Sequence, residues 1–492
     1  MRKGSASVSW IVLALALLCA CSEAPSSNGR GILVIAVDAL RYDHLGKSGY
    51  DRQTSPEFDR LAADGVFFDS AYAAAPRQLP AHVALLSGCD PRLARRELVP
   101  GLARSQASLW YLPADAPHPA TRFLEQDIRT ALFYDHPNLS PVYGCERGFE
   151  LYDGPPDKDS TEPRFGSASV FLRFKRWLTQ VPADRGWFAY LEIADLERVW
   201  SEDDPRYGTL FTPRPELSSV PPVGDAEHLF FAVPRSHRAL GLRTLGEFEA
   251  RYDGAIVRLD QAFKRLRIEM ERQHRWENTT VVVVGAYGMS FGESGLLLDS
   301  GTFADVDLHV PLIVRPARGL WSDEVPTIVP LKGTRSAALV STIDVLPTLL
   351  DIHHVPTKSE LDGVSFQEAL IVKEAPGRLE LHASCAFQEG FATLSRTLCF
   401  ERTWPDRVED RHLSSSWFGD NAEDRTDVVR EVLHDRVADP ARGHLGPTGE
   451  IPSAGLELAR DGEAWAERVE RRRAALQAGQ PRTPFTKLPD GR

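Results

Sequence analysis

The chain carries no excess of basic charge: 57 lysines and arginines stand against 69 acids, a formal charge of −12 over 492 residues. That balance excludes a basic field able to gather nucleic acid or acidic lipid head groups. Clusters such as Arg471, Arg472 and Arg473 sit among glutamates and read as the solvated face of a helix. No internal repeat is present, which argues against a solenoid or a propeller. The apolar run near the N-terminus, Trp10 to Leu18, is too short to span a bilayer comfortably. Cysteine is scarce, with six in the chain, so disulfides cannot be the main framework. What is present is an ordinary globular composition, 42% hydrophobic and 26% charged. The length allows a full-sized α/β core with a smaller domain beside it.

Arg2 and Lys3 precede the short apolar run, and Leu18-Cys19-Ala20-Cys21 follows it. A charged start, a brief apolar stretch and a small residue before the cut are the parts of a signal peptide. Leu-x-Ala-Cys resembles the lipobox of bacterial lipoproteins, in which the cysteine is acylated and becomes the new N-terminus. Residues 1–20 are then the signal peptide, Cys21 the lipid attachment site, and residues 21–30 a polar tether. The alternative is an ordinary secretory signal with incidental cysteines. The expected location is outside the cytoplasm, in the periplasm or at the cell surface, with a membrane as partner through the lipid. Cys89, Cys145, Cys385 and Cys399 remain after cleavage, and four cysteines allow three pairings. Cys385 and Cys399 flank a hairpin-like segment and could pair; buried free thiols are the alternative.

Gly31 to Asp38 is a continuous apolar run ending in a carboxylate, the pattern of a central parallel strand buried on both faces. Similar runs recur at Thr130–Tyr134, Trp187–Ile193, Thr279–Val284 and Val310–Val314. Helical patterns alternate with them: one capped by Ser55-Pro56 and running through Ala63, then Ser167–Thr179 and Phe248–Glu271. The fold class is therefore α/β, a mostly parallel sheet covered by helices on both faces. Ligands of such sheets sit at the strand C-termini, which brings Asp38, Ala194 to Glu197 and Gly285 to Tyr287 to one edge. Pro91–Pro119 and Val199–Leu242 read as long loops. Residues 31–374 form the main domain in this reading. Residues 375–492 form a smaller α+β unit, with strands around Gly390 and a helical tail at Gly462–Gln477.

Four segments together resemble the sulfatase family of the alkaline phosphatase superfamily. Ile-Ala-Val-Asp38-Ala-Leu-Arg41-Tyr-Asp-His44-Leu-Gly46 is similar to its opening strand and metal-binding turn. Thr54-Ser-Pro56-Glu-Phe-Asp59-Arg60-Leu, through Gly65-Val-Phe-Phe, is similar to its first helix. Leu79-Pro80-Ala81-His82, through Ser87-Gly88, stands where the nucleophile-bearing helix belongs. Val310-Pro311, Ile343-Asp344-Val-Leu-Pro347-Thr348 and Leu361-Asp362-Gly363 close the catalytic domain. The order and spacing of these pieces over roughly residues 31–370 carry the resemblance.

The resemblance implies a divalent cation such as calcium, holding a deprotonated nucleophile and one oxygen of a sulfate or phosphate ester. Hard cations need six or more ligands. Asp38 is the one surviving ligand position. The nucleophile position, two residues before the motif proline, holds Gln78, whose carboxamide has no proton to lose near neutral pH. Ala81 replaces the motif serine, while His82 is retained. Ala286 and Tyr287 replace the later Asp-His ligand pair. Glu192, Glu197 and Asp299 occupy positions where the family places histidines, and Ser294 stands at a further one beside Glu293.

No catalytic residue is assigned with these substitutions, and no cofactor is expected, since a lone carboxylate at Asp38 cannot offset the dehydration of a hard cation. The leading reading is a sulfatase-like lipoprotein that is a catalytically inactive pseudoenzyme, with a binding or structural role at the membrane surface. An alternative is a repurposed hydrolase using an acidic cluster of Asp38, Glu192, Glu197 and Asp299. A third is a divergent sulfuric- or phosphoric-ester hydrolase with an unrecognised nucleophile, for which Ser70 and Ser87 qualify by proximity alone. Asp195 and Glu293 read as dispersed loop charges. The Asp305-Val-Asp307-Leu-His309 alternation reads as a solvated edge, His44 as a local hydrogen-bonding residue, and His353-His354 as a surface turn. Ligand identity and oligomeric state are left open.

Overall fold

The computed structural model describes residues 29–91, 95–98, 108–112, 117–118, 120–156, 163, 165–198, 210–214, 244–291, 297–299, 305–321, 329–357, 361–375, 377–378, 380–384, 388–393, 396–402 and 429–435. Strands β1 (Gly31–Val37), β2 (Val66–Tyr72), β3 (Arg129–Phe133), β4 (Leu151–Asp153), β5 (Trp187–Ile193), β6 (Thr279–Gly285), β7 (Leu312–Arg315) and β8 (Thr334–Ser341) form one sheet. Their order across it is β8-β2-β7-β6-β1-β5-β3-β4. Strands β1, β5 and β6 are buried along their whole length. Their largely apolar sequences are covered on both faces, as central parallel strands require.

Pairing is parallel between β1 and both β5 and β6, between β3 and both β5 and β4, and between β2 and β8. Strand β7 corrects the expectation: it runs antiparallel to both β2 and β6. The chain leaves β6 at its C-terminal edge, and the described residues before β7 give only the short helix Asp305–Leu308 and the pair Ser290–Phe291 with Leu297–Asp299. Without a long crossover helix to carry it to the other edge, the next strand enters in reverse. Strands β2, β4 and β8 were not singled out from the sequence. Part of the Pro91–Pro119 loop is also regular, a two-stranded pair of Arg95–Leu98 and Ser108–Tyr111.

Helices α1 (Pro56–Ala63), α2 (Gln78–Ser87), α3 (Gly166–Gln180), α4 (Leu245–Arg272) and α5 (Val345–Ile352) cover the sheet. Helix α4 starts earlier than its apolar pattern, because Thr244 and Glu247 close a reciprocal capping box. Helix α1 has the expected bounds but not the expected cap. Ser55 makes no cap bond; the Asp260 carboxylate on α4 accepts the Glu57 and Phe58 amides at 3.0 and 2.9 Å. Ser55 Oγ instead accepts the Gly46 amide, steadying the turn after β1. His44 in that turn reaches far in sequence rather than locally, with Nδ1 2.7 Å from Asp253 on α4.

Among the described residues no helix is long and apolar enough to cross a membrane. Cys89 and Cys145 are buried thiols. The C-terminal strands Glu380–Ser384, Gln388–Thr393, Arg396–Arg402 and Val429–Asp435 form an antiparallel sheet in that order, around Gly390 as expected. Cys399 lies in its third strand. Cys385, the helical tail at 462–477, and residues 1–28 with Cys21 lie outside the described residues.

Candidate functional site

Three strand ends build the site. In register, Val37 of β1 is level with Ile193 of β5 and Gly285 of β6, so Asp38, Ala194 and Ala286 follow at one edge. Ala36 is level with Glu192, and Val34 with Tyr190. Side chains alternate along a strand, so Asp38 shares a face with Ala36, and Tyr190 shares it with Glu192. The small Ala36 leaves room there for the Glu192 carboxylate. Beyond Asp38 the chain turns at once: Ala39 sits at φ 57°, a strained conformation for a residue with a side chain. Tyr252 on α4 secures the turn, donating to the Ala39 carbonyl at 2.6 Å and accepting the Arg41 amide at 3.0 Å.

Helix α2 approaches the same face with its N-terminus foremost. Gln78 and His82, one turn apart, both project onto it. Gln78 Nε2 donates to Asp38 Oδ2 at 2.8 Å and lies 3.5 Å from Glu192 Oε1. Asn138 Nδ2 donates to Gln78 Oε1 at 2.8 Å, which fixes the orientation of the carboxamide: its NH2 group faces the carboxylates. His82 Nε2 lies 2.7 Å from Asp38 Oδ1, and His82 Nδ1 lies 2.7 Å from the Tyr190 hydroxyl. Glu192 Oε2 accepts the backbone amides of Asp135 at 2.5 Å and His136 at 2.9 Å. Asp38, His82 and Glu192 are all fully buried.

Burial decides the charges. It raises the Asp38 carboxyl well above the ordinary carboxylate range, with the nearby Glu197 charge adding to the effect. Glu192 rises for the same reason, with Asp38 as its charged neighbour. Burial pushes the His82 imidazole down to about 4, so the ring is neutral, and raises the Tyr190 phenol, which keeps its proton. The phenol then donates to Nδ1, and Nε2–H donates to Asp38. Among the described residues neither carboxylate meets a lysine or arginine.

Glu197 stands beside this group in the short helix Asp195–Arg198, half-buried, accepting the hydroxyl of Tyr287. Burial raises the Tyr287 phenol far above its usual range, so it is a donor. Ala286 is buried one residue past β6 and offers no side-chain ligand. Asp299 ends the strand Leu297–Asp299, and its side chain, like all of Glu293 and Ser294, lies outside the described residues. Ser70 and Ser87 are not brought to the site. Ser70 lies in β2, three strands from β1, on the order of 14 Å across the sheet. Ser87 is at the far end of α2 from Gln78, donating to the Val83 carbonyl at 2.6 Å.

Two acids read as solvated turn out buried. Asp195 is 1% exposed and caps α3, accepting the Ser167 amide and hydroxyl, both at 2.6 Å. Asp307 is fully buried in the helix Asp305–Leu308, and His309 stacks between Tyr42 and Tyr72. His353 is half-buried rather than superficial, with Nε2 2.9 Å from Thr280 Oγ1. The functional neighbours that sequence reasoning missed are Asn138, Tyr190 and the amides of Asp135 and His136. Period-two alternation from Glu192 could have found Tyr190; nothing local points to Asn138.

The residues do not fit a calcium-type cation at the Asp38 edge. Such an ion takes six to eight oxygen ligands. Here Gln78 turns its NH2 group toward Asp38 and commits its oxygen to Asn138, Ala286 has none, and the Tyr287 hydroxyl is committed to Glu197. Asp38, the one retained position of the family's ligand set, nevertheless has close neighbours. The fold sets His82 and Glu192 beside it, with one donor atom from each of the three within 4.8 Å of the others.

The sulfatase family model matches residues 30–355, and the chain belongs to the sulfatase family, within the alkaline phosphatase superfamily. It is 23% identical over 431 residues to the multifunctional alkaline phosphatase superfamily protein PehA of Trinickia caryophylli, covering 74% of this chain and 81% of that protein. Over 366 residues it is 24% identical to an ulvan-active sulfatase of Formosa agariphila, covering 69% of this chain and 64% of the relative. The phosphonate monoester hydrolase of Agrobacterium radiobacter superposes with a TM-score of 0.62 at 19% identity, over 92% of this chain and 96% of that one. That likeness establishes the fold, a sulfatase-like hydrolase architecture.

Proposed function

We propose that this chain is a non-hydrolytic member of the sulfatase family, an exported scaffold held at a membrane surface by lipid on Cys21. One observation carries the reading. The position of the family's nucleophile is filled by Gln78, and its carboxamide is locked by Asn138 so that an NH2 group, not an oxygen, meets Asp38. An amide nitrogen of that kind neither ionises nor attacks an ester. The anionic Glu197 beside the buried Asp38–Glu192 pair further disfavours a sulfate or phosphate guest. The Leu18-Cys19-Ala20-Cys21 sequence supports the anchor and the export.

The test is turnover of chromogenic sulfate, phosphate and phosphonate esters across calcium, magnesium, manganese and zinc, with Asp38→Ala as control. No turnover above the control is expected. Metal-dependent turnover abolished by Asp38→Ala would overturn the reading. The convergence of Asp38 and Glu192, with both carboxyls raised, favours the repurposed hydrolase as second reading. Turnover that falls with Glu192→Gln while surviving Asp38→Ala would establish it instead.

A further inference from the structure

The chain enters the sheet at the end opposite the site. Strands β1, β5 and β6 run parallel, so Asp38, Ala194 and Ala286 share one edge, and Gly31, Trp187 and Thr279 lie level at the other. The entry is fixed there. Gly29 turns the backbone at φ 68°, so close to the Ala183 carbonyl that a Cβ would collide with its oxygen. Arg30 donates to the Gly319 carbonyl at 3.2 Å, and its own carbonyl accepts the Trp187 amide at 3.1 Å. The Gly31 amide donates to the Asn278 carbonyl at 2.9 Å. Helix α4 has the matching polarity. Glu249 and Asp253 in its early turns bond Arg52 beyond β1, whereas Arg275, just past its end, donates to the Val181 carbonyl.

We propose that this N-terminal edge of the sheet is the surface that faces the bilayer, and that the Asp38 edge points away from it, toward guests arriving through water. The inference rests on the lipid at Cys21 and goes on to orient the protein that the lipid anchors. The tether from Cys21 to Gly29 has eight residue steps. Fully extended it reaches at most about 26–29 Å, and as a flexible chain about 14–17 Å.

The way round to the other edge is longer than that. Strand β1 has three strands on one side of it and four on the other. At about 4.8 Å per strand the nearer lateral border is about 14 Å away, and over a face a helix about 10–12 Å thick stands in the way. The rise from Gly31 to Val37 then adds about 20 Å. The shortest path is thus about 30 Å, before the turn at Tyr42–His44 beyond β1 is cleared. A lipidated Cys21 cannot reach a bilayer laid against the Asp38 edge. A bilayer beneath Gly29 lies well within its reach, and the site then stands about 20 Å or more from the head groups. Adhesion does not set this orientation, because Arg185 on the N-terminal edge pairs with Asp127, and Arg272 with Glu269. What meets Gln78, His136 and Glu197 therefore comes from the aqueous side and not from lipid.

The experiment uses the full-length lipidated chain in phosphatidylcholine vesicles that carry nitroxide-labelled head groups. A fluorophore is attached to a new thiol at Asp184→Cys or Arg318→Cys, both exposed at the N-terminal edge, or at Leu210→Cys, exposed beside Arg52 toward the other. Wild type, with Cys89 and Cys145 buried, gives the labelling background. The Asp184→Cys and Arg318→Cys probes should lose intensity to the nitroxides, and the Leu210→Cys probe should keep it. Equal quenching at both edges, or the reverse pattern, would overturn the orientation. Two positions on the N-terminal edge guard against one variant that merely misfolds. Inserting about 20 Gly and Ser residues after Ser26 extends the flexible reach to about 26–32 Å and should relieve the quenching at Asp184→Cys. Quenching that persists would mean that the surface itself holds lipid, which would overturn the tether account. Anchoring is read separately by fatty-acid labelling. A chain unlabelled at Cys21 sinks the anchored reading and this orientation with it, whereas a labelled chain quenched at the Leu210→Cys probe sinks the orientation alone.

Discussion

At the scale of single residues, Gln78 carries the most consequence. Its carboxamide joins Asn138 on one side to Asp38 and Glu192 on the other, so it meets three polar groups from one position. Gln78→Ala should leave Asp38 Oδ2 and the Asn138 amide without this partner. A loss of about 1–3 kcal/mol is expected, since a buried group left unsatisfied costs its full desolvation. Urea unfolding of wild type and variant measures it, and a change near zero would mean that water replaces the amide without loss. Gln78→Glu should cost more than Gln78→Ala, because it sets another acid against Asp38 and Glu192. The identity of Gln78 was legible from the Leu79-Pro80-Ala81-His82 sequence. Its orientation was not, because Asn138 lies 60 residues away and only the packed fold brings the two together.

At the scale of elements, helix ends are held by acids from other helices and loops. Burial raises Asp260, which caps α1 from α4, to about 7, and the amides it accepts from Glu57 and Phe58 only partly counter that. An acid whose folded pKa exceeds its unfolded value near 4 binds its proton more tightly when folded. Its contribution is therefore present below about pH 4 and is lost as pH rises through about 7. Asp260→Asn keeps an oxygen to cap the helix but cannot ionise. The wild type should lose stability between about pH 5 and pH 8 relative to Asp260→Asn, read from urea midpoints at the two pH values. Equal shifts in both proteins would show that Asp260 titrates as an ordinary acid.

Helix α3 offers a second check at this scale. Gly166, at its first position, has φ 82°, and a Cβ there would lie 2.7 Å from Asp195 Oδ1. Gly166→Ala should destabilise by roughly 1–3 kcal/mol through backbone strain and displacement of the capping carboxylate. A thermal midpoint equal to wild type would contradict that account. Asp195 was read as a loop charge because its role needs Ser167, 28 residues earlier, to be seen as a neighbour. Sequence spacing cannot carry that information; a cap supplied from elsewhere in the chain leaves no local signature.

For the molecule as a whole, the prediction concerns where it resides. If Cys21 carries lipid, mature protein should partition with membranes, although among the described residues no helix crosses one. Labelled fatty acid should enter the wild type and not Cys21→Ala, and the variant should move to the soluble fraction. Equal labelling of both would place any anchor elsewhere.

Taken by itself, the sequence determined the α/β class, the central strands and the bounds of α1, because unbroken apolar runs and helical periodicity are written in consecutive residues. The resemblance to the sulfatase family, read from the same residues, implied that Gln78, Ala286 and Tyr287 stand at the nucleophile position and the later ligand pair. Only the tertiary structure decided that β7 runs in reverse, a matter of which sheet edge the chain stands at when it re-enters. It alone decided that Asp38 is not a solitary carboxylate. Strand register sets Glu192 level with Ala36, and α2 lays His82 over both, so residues 44 and 154 positions from Asp38 share one buried point. Charge at such a point is governed by distance and desolvation, and neither exists until the chain is packed.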